Sequence, residues 1–453
     1  MRIAIVGAGP SGLAALRALT KAGFDATAYE KGNRIGGVWT LEDRHTAAYR
    51  SLHLITSRAR TEFGEHPLPD GTPDYPSAQA VGEYLEGYVD RFGLRDRIRL
   101  GEGVRHAEPK QAGWEIELES GEREDADLLV VANGHNESPK LPDPPYPGTD
   151  EFEGRQLHAF DYERPEELNG KRVLVVGMGN SAMDIVTDAS YAADRAFLSV
   201  RHGSWVIPKR LLGQPADQII RPWVAVHVPW RIRQPLSEML LRITVGPPER
   251  YGLPAPDGGL FQSHPTITDT VLSRISHGEI TPKLGIDRLT ARGVRFTDGS
   301  EEEIDTIVWC TGYVVEIPFL PTSLTGEDPK ELPLYKRVFH LDRDDLFFVG
   351  LMQSTGSAFP IVERQSQLLA EYLSGRWVKP SREVMRADIE ERRRRALERW
   401  GPHGRPTMRV DFDVHMHELA KEIEAGRERA DGRGATARAA TAEAGAASGT
   451  TRA

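Results

Sequence analysis

Cysteine is nearly absent from this chain of 453 residues, and Cys310 is its single thiol. One thiol cannot form an internal disulfide. It also cannot form the C-x-x-C pair of enzymes that use two cysteines as a redox couple, so that class is excluded. This composition is typical of a reducing compartment, and we expect a cytoplasmic protein. A strand pattern begins at Arg2, so we expect no targeting segment before it.

Long apolar runs are also missing from the sequence. No stretch of about 18 residues is apolar throughout, so the sequence predicts no membrane-spanning helix. We interpret the most apolar long stretch, residues 219–245, as a helix of a substrate-binding region. Contact with a membrane surface is the alternative, and we do not expect stable insertion. The charged residues that interrupt this stretch are Arg221, Arg231, Arg233, Glu238 and Arg242.

An excess of positive charge is absent as well. The net charge is −10 and the isoelectric point is about 5.8, which argues against a general binder of nucleic acids or of anionic membranes. The basic run at residues 391–395 lies among acids, as expected of a solvated helix face. His415 and His417 are two residues apart, so on a helix they point to different faces, and we predict no metal site.

The first 39 residues contain the strongest local pattern. A buried strand pattern at residues 2–6 leads into a G-x-G-x-x-G turn at Gly7, Gly9 and Gly12, and a second strand pattern ends at Glu30. In such a turn the glycines permit a tight bend, close approach to a pyrophosphate and close packing of helix on strand. A terminal acid can accept hydrogen bonds from a ribose 2′-OH. The sequence therefore predicts a dinucleotide site that resembles an FAD site.

A second copy of this pattern begins at Lys171. A buried strand pattern leads into Gly177 and Gly179 of a G-x-G-x-x-A turn, and the following strand pattern ends at Arg201. An arginine at this point accommodates a 2′-phosphate through charge-assisted hydrogen bonds, so we interpret the second site as an NADP site. A solvated surface charge is the alternative for Arg201, and Lys209 is a weaker candidate for the phosphate.

The two units predict an α/β protein with two Rossmann-like dinucleotide-binding domains. A strand pattern at residues 345–351, followed by a polar loop and a helix pattern, indicates that the chain returns to the first domain. The FAD domain is then discontinuous and the NADP domain is inserted into it. The predicted division is residues 1–165 for the first part of the FAD domain, 166–310 for the NADP domain with an insertion at 213–275, 311–425 for the second part of the FAD domain, and 426–453 for a disordered tail.

The two glycine turns and three further motifs make the chain similar to the class B flavin-dependent monooxygenases, and specifically to the flavin-containing monooxygenase family. The resemblance covers about residues 1–425 and is loosest at 213–260. The motifs are the two glycine turns, the signature F-x-G-x-x-x-H-x-x-x-Y/F at Phe152, Gly154, His158 and Tyr162, the segment from Asp305 to Thr311-Gly312-Tyr313, and Glu30 followed by Gly36-Gly37-Val38-Trp39.

Two positions refine the resemblance. The related Baeyer–Villiger enzymes carry tryptophan where Tyr162 stands, so Tyr162 favours the branch that oxidises amines and sulfides. The family's flavin-contacting asparagine aligns with Ile55, which has no donor or acceptor. Thr56, Ser57 or a water could substitute, the bound oxygen species could be short-lived, or the change could be neutral. For His158 we favour a role in bracing the two domains over a catalytic role.

The resemblance implies an NADPH-dependent oxidoreductase that forms a C4a-hydroperoxyflavin and oxygenates an amine nitrogen or a sulfur of a small molecule with O2. A ketone-oxidising enzyme and an uncoupled NADPH oxidase are the alternatives, and a homodimer is compatible with the sequence. Because the flavin carries the chemistry, no catalytic residue is predicted with certainty, although Ile55, Thr56 and Ser57 would lie near the flavin C4a. The residues implied to bind FAD are Gly7, Gly9, Pro10, Ser11, Gly12, Glu30, Lys31, Gly37, Val38, Trp39, Val104, Ala132, Gly134 and Gln353. Those implied to bind NADP are Gly177, Gly179, Asn180, Ser181, Arg201, Thr311 and Gly312.

Overall fold

The structure is a computed structural model that describes residues 1–448, except 42, 44, 263, 264 and 402–405. Within this described part the chain forms both helices and short strands. The helices are α1 (Pro10–Lys21), α2 (Ala78–Arg91), α3 (Asn180–Ala192), α4 (Pro222–His227), α5 (Trp230–Thr244), α6 (Val271–Ser276), α7 (Thr322–Thr325), α8 (Phe359–Leu373), α9 (Arg382–Trp400) and α10 (Phe412–Ser448).

The strands are distributed along the whole chain, and most are short. They are β1 (Arg2–Val6), β2 (Asp25–Glu30), β3 (Ile98–Leu100), β4 (Val104–Pro109), β5 (Trp114–Leu118), β6 (Arg123–Ala126), β7 (Leu128–Val131), β8 (Ser138–Pro139), β9 (Arg155–His158), β10 (Arg172–Val176), β11 (Arg195–Ser199), β12 (Val206–Ile207), β13 (Arg210–Leu211), β14 (Gln214–Pro215), β15 (Thr266–Ile267), β16 (Ile280–Lys283), β17 (Ile286–Thr290), β18 (Gly293–Phe296), β19 (Glu301–Glu303), β20 (Thr306–Trp309), β21 (Tyr313–Val314), β22 (Leu334–Tyr335), β23 (Phe339–His340), β24 (Leu346–Phe348), β25 (Gln353–Ser354) and β26 (Arg409–Val410).

Two segments that are distant in sequence build the first large sheet. Its strand order is β22-β23-β24-β7-β1-β2-β3, and β24, β7, β1, β2 and β3 run parallel. The apolar strands β1 and β7 are buried on both faces, as parallel strands covered by helices require. On one face the core includes residues of α1, α2 and α8. Both a segment near the start and one beyond residue 330 therefore contribute to this sheet.

The second large sheet is parallel throughout, with the strand order β16-β11-β10-β20-β9. All of its strands fall between residues 155 and 309, inside the chain span that separates the two halves of the first sheet. The α/β class with parallel sheets is confirmed. We propose the domain division given above, except that the boundary between the first part of the FAD domain and the NADP domain lies before β9. The reason is that β9 pairs with β20, which places residues 155–158 in the second sheet.

The carboxyl-terminal region differs from the predicted tail. Helix α10 runs through residue 426, where the sequence predicts a disordered tail to begin. The Gly426 carbonyl accepts a hydrogen bond from the Val378 N–H at 3.1 Å, and the Trp377 indole donates to the Glu422 carbonyl at 2.8 Å. These contacts with the segment after α8 hold the helix at this point despite its low content of large apolar residues.

Candidate functional site

The first glycine turn lies at the carboxyl end of β1. Gly7 has φ +103°, and its N–H donates to the Tyr29 carbonyl at 2.8 Å. A β-carbon at Gly7 would lie 2.7 Å from the Ala132 carbonyl oxygen, and one at Gly12 would lie 1.9 Å from the Gly7 carbonyl oxygen. Both positions therefore require glycine. The first N–H groups of α1 lack intrahelical partners, so the turn can hold a phosphate. The predicted residues in this turn are Gly7, Gly9, Pro10 and Gly12.

Residues 36–39 form a second wall beside this turn. The Gly36 N–H donates to the Ala8 carbonyl at 3.1 Å. A β-carbon at Gly37 would lie 3.0 Å from the α-carbon of Gly9, so the two backbones are nearly in contact. A single 3₁₀ turn continues to residue 39. The structure therefore brings the predicted residues Gly37, Val38 and Trp39 to the first glycine turn.

Glu30 ends β2 beside the same turn. One oxygen of its carboxylate accepts from the Ala8 N–H at 2.7 Å, and the other accepts from the Gly32 N–H at 2.9 Å. Each oxygen keeps a further lone pair with which to accept from a ribose hydroxyl. The neighbouring Lys31 pairs with Glu137, and burial lowers the pKa of its ammonium group.

The later chain segment reaches this site through Gly350. A β-carbon at Gly350 would lie 2.1 Å from the Ser11 hydroxyl oxygen, and the Gly350 N–H donates to the Gln365 side chain at 3.0 Å. Helix α8, which begins at Phe359, packs on α1. Gln353 lies three residues beyond Gly350, in β25. Of the other predicted residues, Val104 begins β4, Ala132 follows β7, and Gly134 lies two residues later.

The second glycine turn repeats this construction at the end of β10. Gly177 has φ +133°, its N–H donates to the Ser199 carbonyl at 3.0 Å, and a β-carbon there would lie 2.5 Å from the Cys310 carbonyl oxygen. A β-carbon at Gly179 would have no heavy atom within 4 Å, so this part of the turn is open to a ligand. The predicted residues Thr311 and Gly312 directly follow Cys310 and therefore lie beside the turn.

The first turn of α3 begins at the predicted residues Asn180 and Ser181. The side-chain oxygen of Asn180 accepts from the Ile267 N–H at 2.8 Å, and the Thr266 hydroxyl donates to the Met178 carbonyl. The Asn180 side chain thus anchors β15 to the turn, and its backbone N–H is the group left to face a phosphate.

Arg201 and Lys209 differ in whether their charged groups already contact other side chains. Arg201 is exposed just beyond β11 and has no hydrogen bond or ion pair within the described part of the chain. The Lys209 ammonium lies 5.3 Å from the centre of the Tyr75 ring, and its backbone N–H donates to Asp269 at 2.7 Å. Arg201 is therefore the better placed of the two to receive a 2′-phosphate.

The comparison with protein families gives a match over nearly the whole chain. The model of the family described as "FMO-like: Flavin-binding monooxygenase-like" matches residues 1–429. The chain belongs to this family. Dimethylaniline monooxygenase [N-oxide-forming] 2 of Rattus norvegicus is 31% identical over 447 residues, covering 93% of this chain and 82% of the relative. Flavin-containing monooxygenase 3 of Homo sapiens is 32% identical over 441 residues, with the same coverage.

Solved structures resemble this flavin monooxygenase along most of its length. The S-allyl-L-cysteine S-oxygenase from Allium sativum is 26% identical, with a TM-score of 0.67, and the match covers 93% of this chain and 88% of that one. The open structure of cyclohexanone monooxygenase is 19% identical, with a TM-score of 0.71 and coverage of 94% and 98%; this likeness concerns the fold alone. The predicted class of two dinucleotide-binding domains is confirmed. The enzyme is an oxidoreductase that uses FAD and NADPH, and both glycine turns fit these groups.

Residues 55–57 of this monooxygenase are held by a later segment. The Ser57 N–H donates to the Asp217 carboxylate at 2.6 Å, and the Ser57 hydroxyl accepts from the Gln218 amide at 3.1 Å. The Thr56 and Thr61 hydroxyls share a hydrogen bond at 2.9 Å, while the half-buried Ile55 offers no polar atom. Sequence reasoning missed Asp217 and Gln218, because no local pattern links positions 160 residues apart.

Hydrogen bonds from three hydroxyls join residues 49–51 and the signature to α3. The Tyr49 hydroxyl donates to Asp184 at 2.7 Å, and burial raises the pKa of the Asp184 carboxyl to about 6. The hydroxyls of Ser51 and Tyr162 both donate to Asp188, at 2.5 and 2.8 Å, and burial also raises the pKa of Asp188. We refer to these five residues as the α3 network. Apart from Tyr162, sequence reasoning missed them.

His158 of the signature is buried at the end of β9. Its ring nitrogen Nδ1 accepts from the Phe160 N–H at 3.1 Å, and its ring meets the Tyr313 ring edge-on at 5.2 Å. Burial lowers the pKa of the His158 imidazole, so the ring is neutral near pH 7. These contacts support the bracing role over an acid–base role.

Proposed function

We propose that this enzyme oxygenates the nitrogen or sulfur of a small molecule, with NADPH as reductant and O2 as the oxygen source. The single observation that carries the proposal is that two intact glycine turns have opposite charges at their ends. Glu30 lies at the first, and Arg201, which has no ion pair within the described residues, lies at the second. The relatives support the choice of substrate atom: one is named as N-oxide-forming, and the Allium enzyme as an S-oxygenase. Tyr162 supports the same branch.

In this proposal each group of predicted residues has one task. The first glycine turn, Glu30 and residues 36–39 hold FAD, while Ser11 and the Gly350 segment close over it. The second turn and Thr311-Gly312 hold NADPH, and Arg201 receives its 2′-phosphate. Bound flavin supplies hydride acceptance and the activation of O2.

The chain's remaining contribution is to position groups and to exclude water. The hydrogen bonds of Ser57 with Asp217 and Gln218 restrict the movement of residues 55–57 when substrate binds. Ile55 adds apolar surface and no hydrogen bond, which keeps its surroundings dry but holds no oxygen atom in place. Because the Ile55 side chain has no polar atom, it also favours a second candidate function, an NADPH oxidase that releases hydrogen peroxide. Oxygenation of a ketone has weaker support, because the likeness to cyclohexanone monooxygenase concerns the fold alone.

The test is a product balance for the purified holoenzyme. The enzyme is offered a tertiary arylamine, a thioether or a cyclic ketone, and NADPH oxidation, hydrogen peroxide and oxygenated product are measured together. We expect N-oxide or sulfoxide in amounts that follow NADPH oxidation. Peroxide equal to the NADPH oxidised, with every substrate, would identify the oxidase instead, and lactone or ester product would identify the ketone branch.

Ile55→Asn, with Ile55→Leu as its matched control, tests whether this position decides the outcome. We expect the asparagine variant to release less peroxide per NADPH than the leucine variant, because it restores a donor and an acceptor. Equal peroxide release by both variants would show that Ile55 is a neutral change.

No helix within the described residues is long and apolar enough to cross a bilayer. The cytoplasmic location and the homodimer stay predictions.

A further inference from the structure

A charged side chain, that of Asp217, contacts the segment at residues 55–57. Asp217 lies in the single 3₁₀ turn Ala216–Gln218, directly after β14. One of its carboxylate oxygens, Oδ2, accepts from the Ser57 N–H at 2.6 Å. The other oxygen, Oδ1, is buried and has no hydrogen-bond partner within the described residues. Because buried polar atoms normally have a hydrogen-bond partner, this oxygen is available to a donor on a bound molecule.

Donors on neighbouring residues already have other partners. The Gln218 amide donates to the Ser57 hydroxyl at 3.1 Å. Burial, and after it the negative charge of Asp217, raises the pKa of the Tyr75 phenol, so the Tyr75 and Asp217 side chains lie close together. The Tyr75 hydroxyl nevertheless donates to the Lys209 carbonyl. Neither of these two donors is therefore left for the Oδ1 atom of Asp217.

The positive charges in this region also have other contacts, and Asp217 has no ion pair within the described residues. The Lys209 ammonium lies 5.3 Å from the centre of the Tyr75 ring. The Arg210 guanidinium pairs with Asp74. A bound cation with an N–H donor would therefore meet both an unpaired negative charge and an oxygen that lacks a hydrogen bond.

We propose that Asp217 determines substrate specificity, because its Oδ1 atom binds an ammonium group of the substrate. This role rests on the proposed function, in which residues 55–57 lie beside the flavin and the substrate. Ile55 then supplies apolar surface on which the carbon chain of the substrate packs. A hydrogen bond between a charged donor and a carboxylate is about twice as strong as one between neutral groups, so the ammonium group would fix the orientation of the substrate.

The ammonium group that Asp217 binds is not the atom that is oxygenated. Oxygen transfer forms its new bond with a lone pair, and a protonated nitrogen has none. The oxygenated atom is therefore a second one, either a thioether sulfur or an uncharged nitrogen. For a thioether, O2, NADPH and one proton give the sulfoxide, NADP+ and water, and the ammonium group keeps its own proton throughout. The substrate class is an aminoalkyl thioether or a diamine with one uncharged nitrogen.

The experiment compares ammonium ligands with uncharged ligands of the same length. The ammonium ligands are (methylthio)alkylamines with two, three or four methylene groups, which are protonated near pH 7. The uncharged ligands are the alcohols in which a hydroxyl replaces the amine. Binding to the oxidised holoenzyme is followed by the change in flavin absorption, and sulfoxide formation with NADPH is measured separately. We expect the best amine to bind about 10- to 100-fold more tightly than its alcohol, as a hydrogen bond to a charged group predicts.

Asp217→Asn removes the charge and keeps the shape of the side chain. Its amide oxygen can still accept from the Ser57 N–H, while a nitrogen donor takes the place of the acceptor Oδ1. We expect the preference for the amine over the alcohol to fall to about twofold or less. Asp74→Asn is the matched control, because it removes the same charge from a carboxylate that also faces Tyr75 but pairs with Arg210. This control should keep the wild-type preference.

The outcomes separate the role of Asp217 from the proposed oxygenation. Equal affinity of the wild-type protein for amines and alcohols would overturn the role, and so would a preference that Asp217→Asn retains in full. An Asp217-dependent preference without any sulfoxide would support the role and contradict the proposed function. Sulfoxide formed from amines and alcohols with equal efficiency would do the reverse. Because the wild-type comparison needs no variant, it decides the preference even if Asp217→Asn fails to fold.

Discussion

Arg201 is the residue on which the preference for NADPH over NADH should depend. Its guanidinium is exposed and unpaired within the described residues, so the 2′-phosphate would gain a charge-assisted interaction without breaking another. We expect Arg201→Ala to raise the KM for NADPH by about 10- to 100-fold, which corresponds to about 1.5–3 kcal/mol for a hydrogen bond to a charged group. The KM for NADH should change little.

Steady-state kinetics with both nucleotides measure this effect of Arg201→Ala, and Lys209→Ala is the control. A larger effect from the lysine variant would transfer the role to Lys209.

The raised pKa of Asp184 should appear as a pH dependence of stability. The folded pKa of about 6 lies above the ordinary value of 3.8, so the folded state holds the proton more tightly, and wild-type stability falls as the pH rises through this interval. In Asp184→Asn the side chain is neutral at every pH. The difference in free energy of unfolding, variant minus wild type, should therefore increase by about 1 kcal/mol between pH 5 and pH 7.5.

Denaturant unfolding at several pH values checks the Asp184 prediction. The charges facing Asp184 are those of Lys209, Asp188 and His53, and Tyr49 donates to it. Tyr49→Phe is the companion variant: loss of the donated hydrogen bond should raise the pKa of Asp184 further and steepen the loss of stability above pH 6. A constant difference between Asp184→Asn and wild type at all pH values would contradict the prediction.

At the scale of a single element, α10 offers a comparison of two glycines. A β-carbon at Gly426 would lie 1.8 Å from the Trp377 indole nitrogen, whereas one at Gly432 would meet no heavy atom within 4 Å. We expect Gly426→Ala to lower the free energy of unfolding by about 1–3 kcal/mol through overpacking. Gly432→Ala should be neutral or stabilising by up to about 1 kcal/mol, since alanine favours a helix. Thermal unfolding of both variants measures this. Equal stability of the two variants would show that α10 does not pack on Trp377 at residue 426, as expected of the predicted disordered tail.

Elements were predictable where their determinants are close in sequence. Both glycine turns could be identified because strand, turn, helix and terminal Glu30 or Arg201 fall within about 30 residues of one another, as dinucleotide-binding units require. The extent of α10 could not be predicted, since it depends on contacts with Trp377, which is distant in the chain. The outward orientation of the apolar residues Ile232, Leu236, Met239 and Ile243 on α5 could not be predicted for the same reason. Their helical spacing is visible in the sequence, but which face of α5 is covered depends on the core around Trp205.

At the scale of the whole molecule, the least predictable feature is how the two sheets are joined. The α3 network and the contact between Ser57 and Asp217 link residues up to 160 positions apart, and the sequence singled out only Tyr162 and Ser57 among them. A polar contact of this kind leaves no periodic or local signal. Its members become recognisable only when the fold brings the segment before α2 against α3.

The α3 network should transmit stabilisation from the second nucleotide site to the first. A ligand at about 100 times its Kd stabilises the state it binds by about 2.7 kcal/mol. Adenosine 2′,5′-bisphosphate carries the 2′-phosphate but no nicotinamide, so it can stabilise the flavin site only through the protein. We expect it to raise the temperature at which flavin is released, followed by flavin fluorescence. In a Tyr49→Phe, Ser51→Ala variant, with saturation of the ligand verified, this rise should shrink, because the hydrogen bonds from the segment before α2 to α3 are gone while both glycine turns remain. An undiminished rise would show that the apolar contacts between the sheets, and not these hydroxyls, couple the two sites.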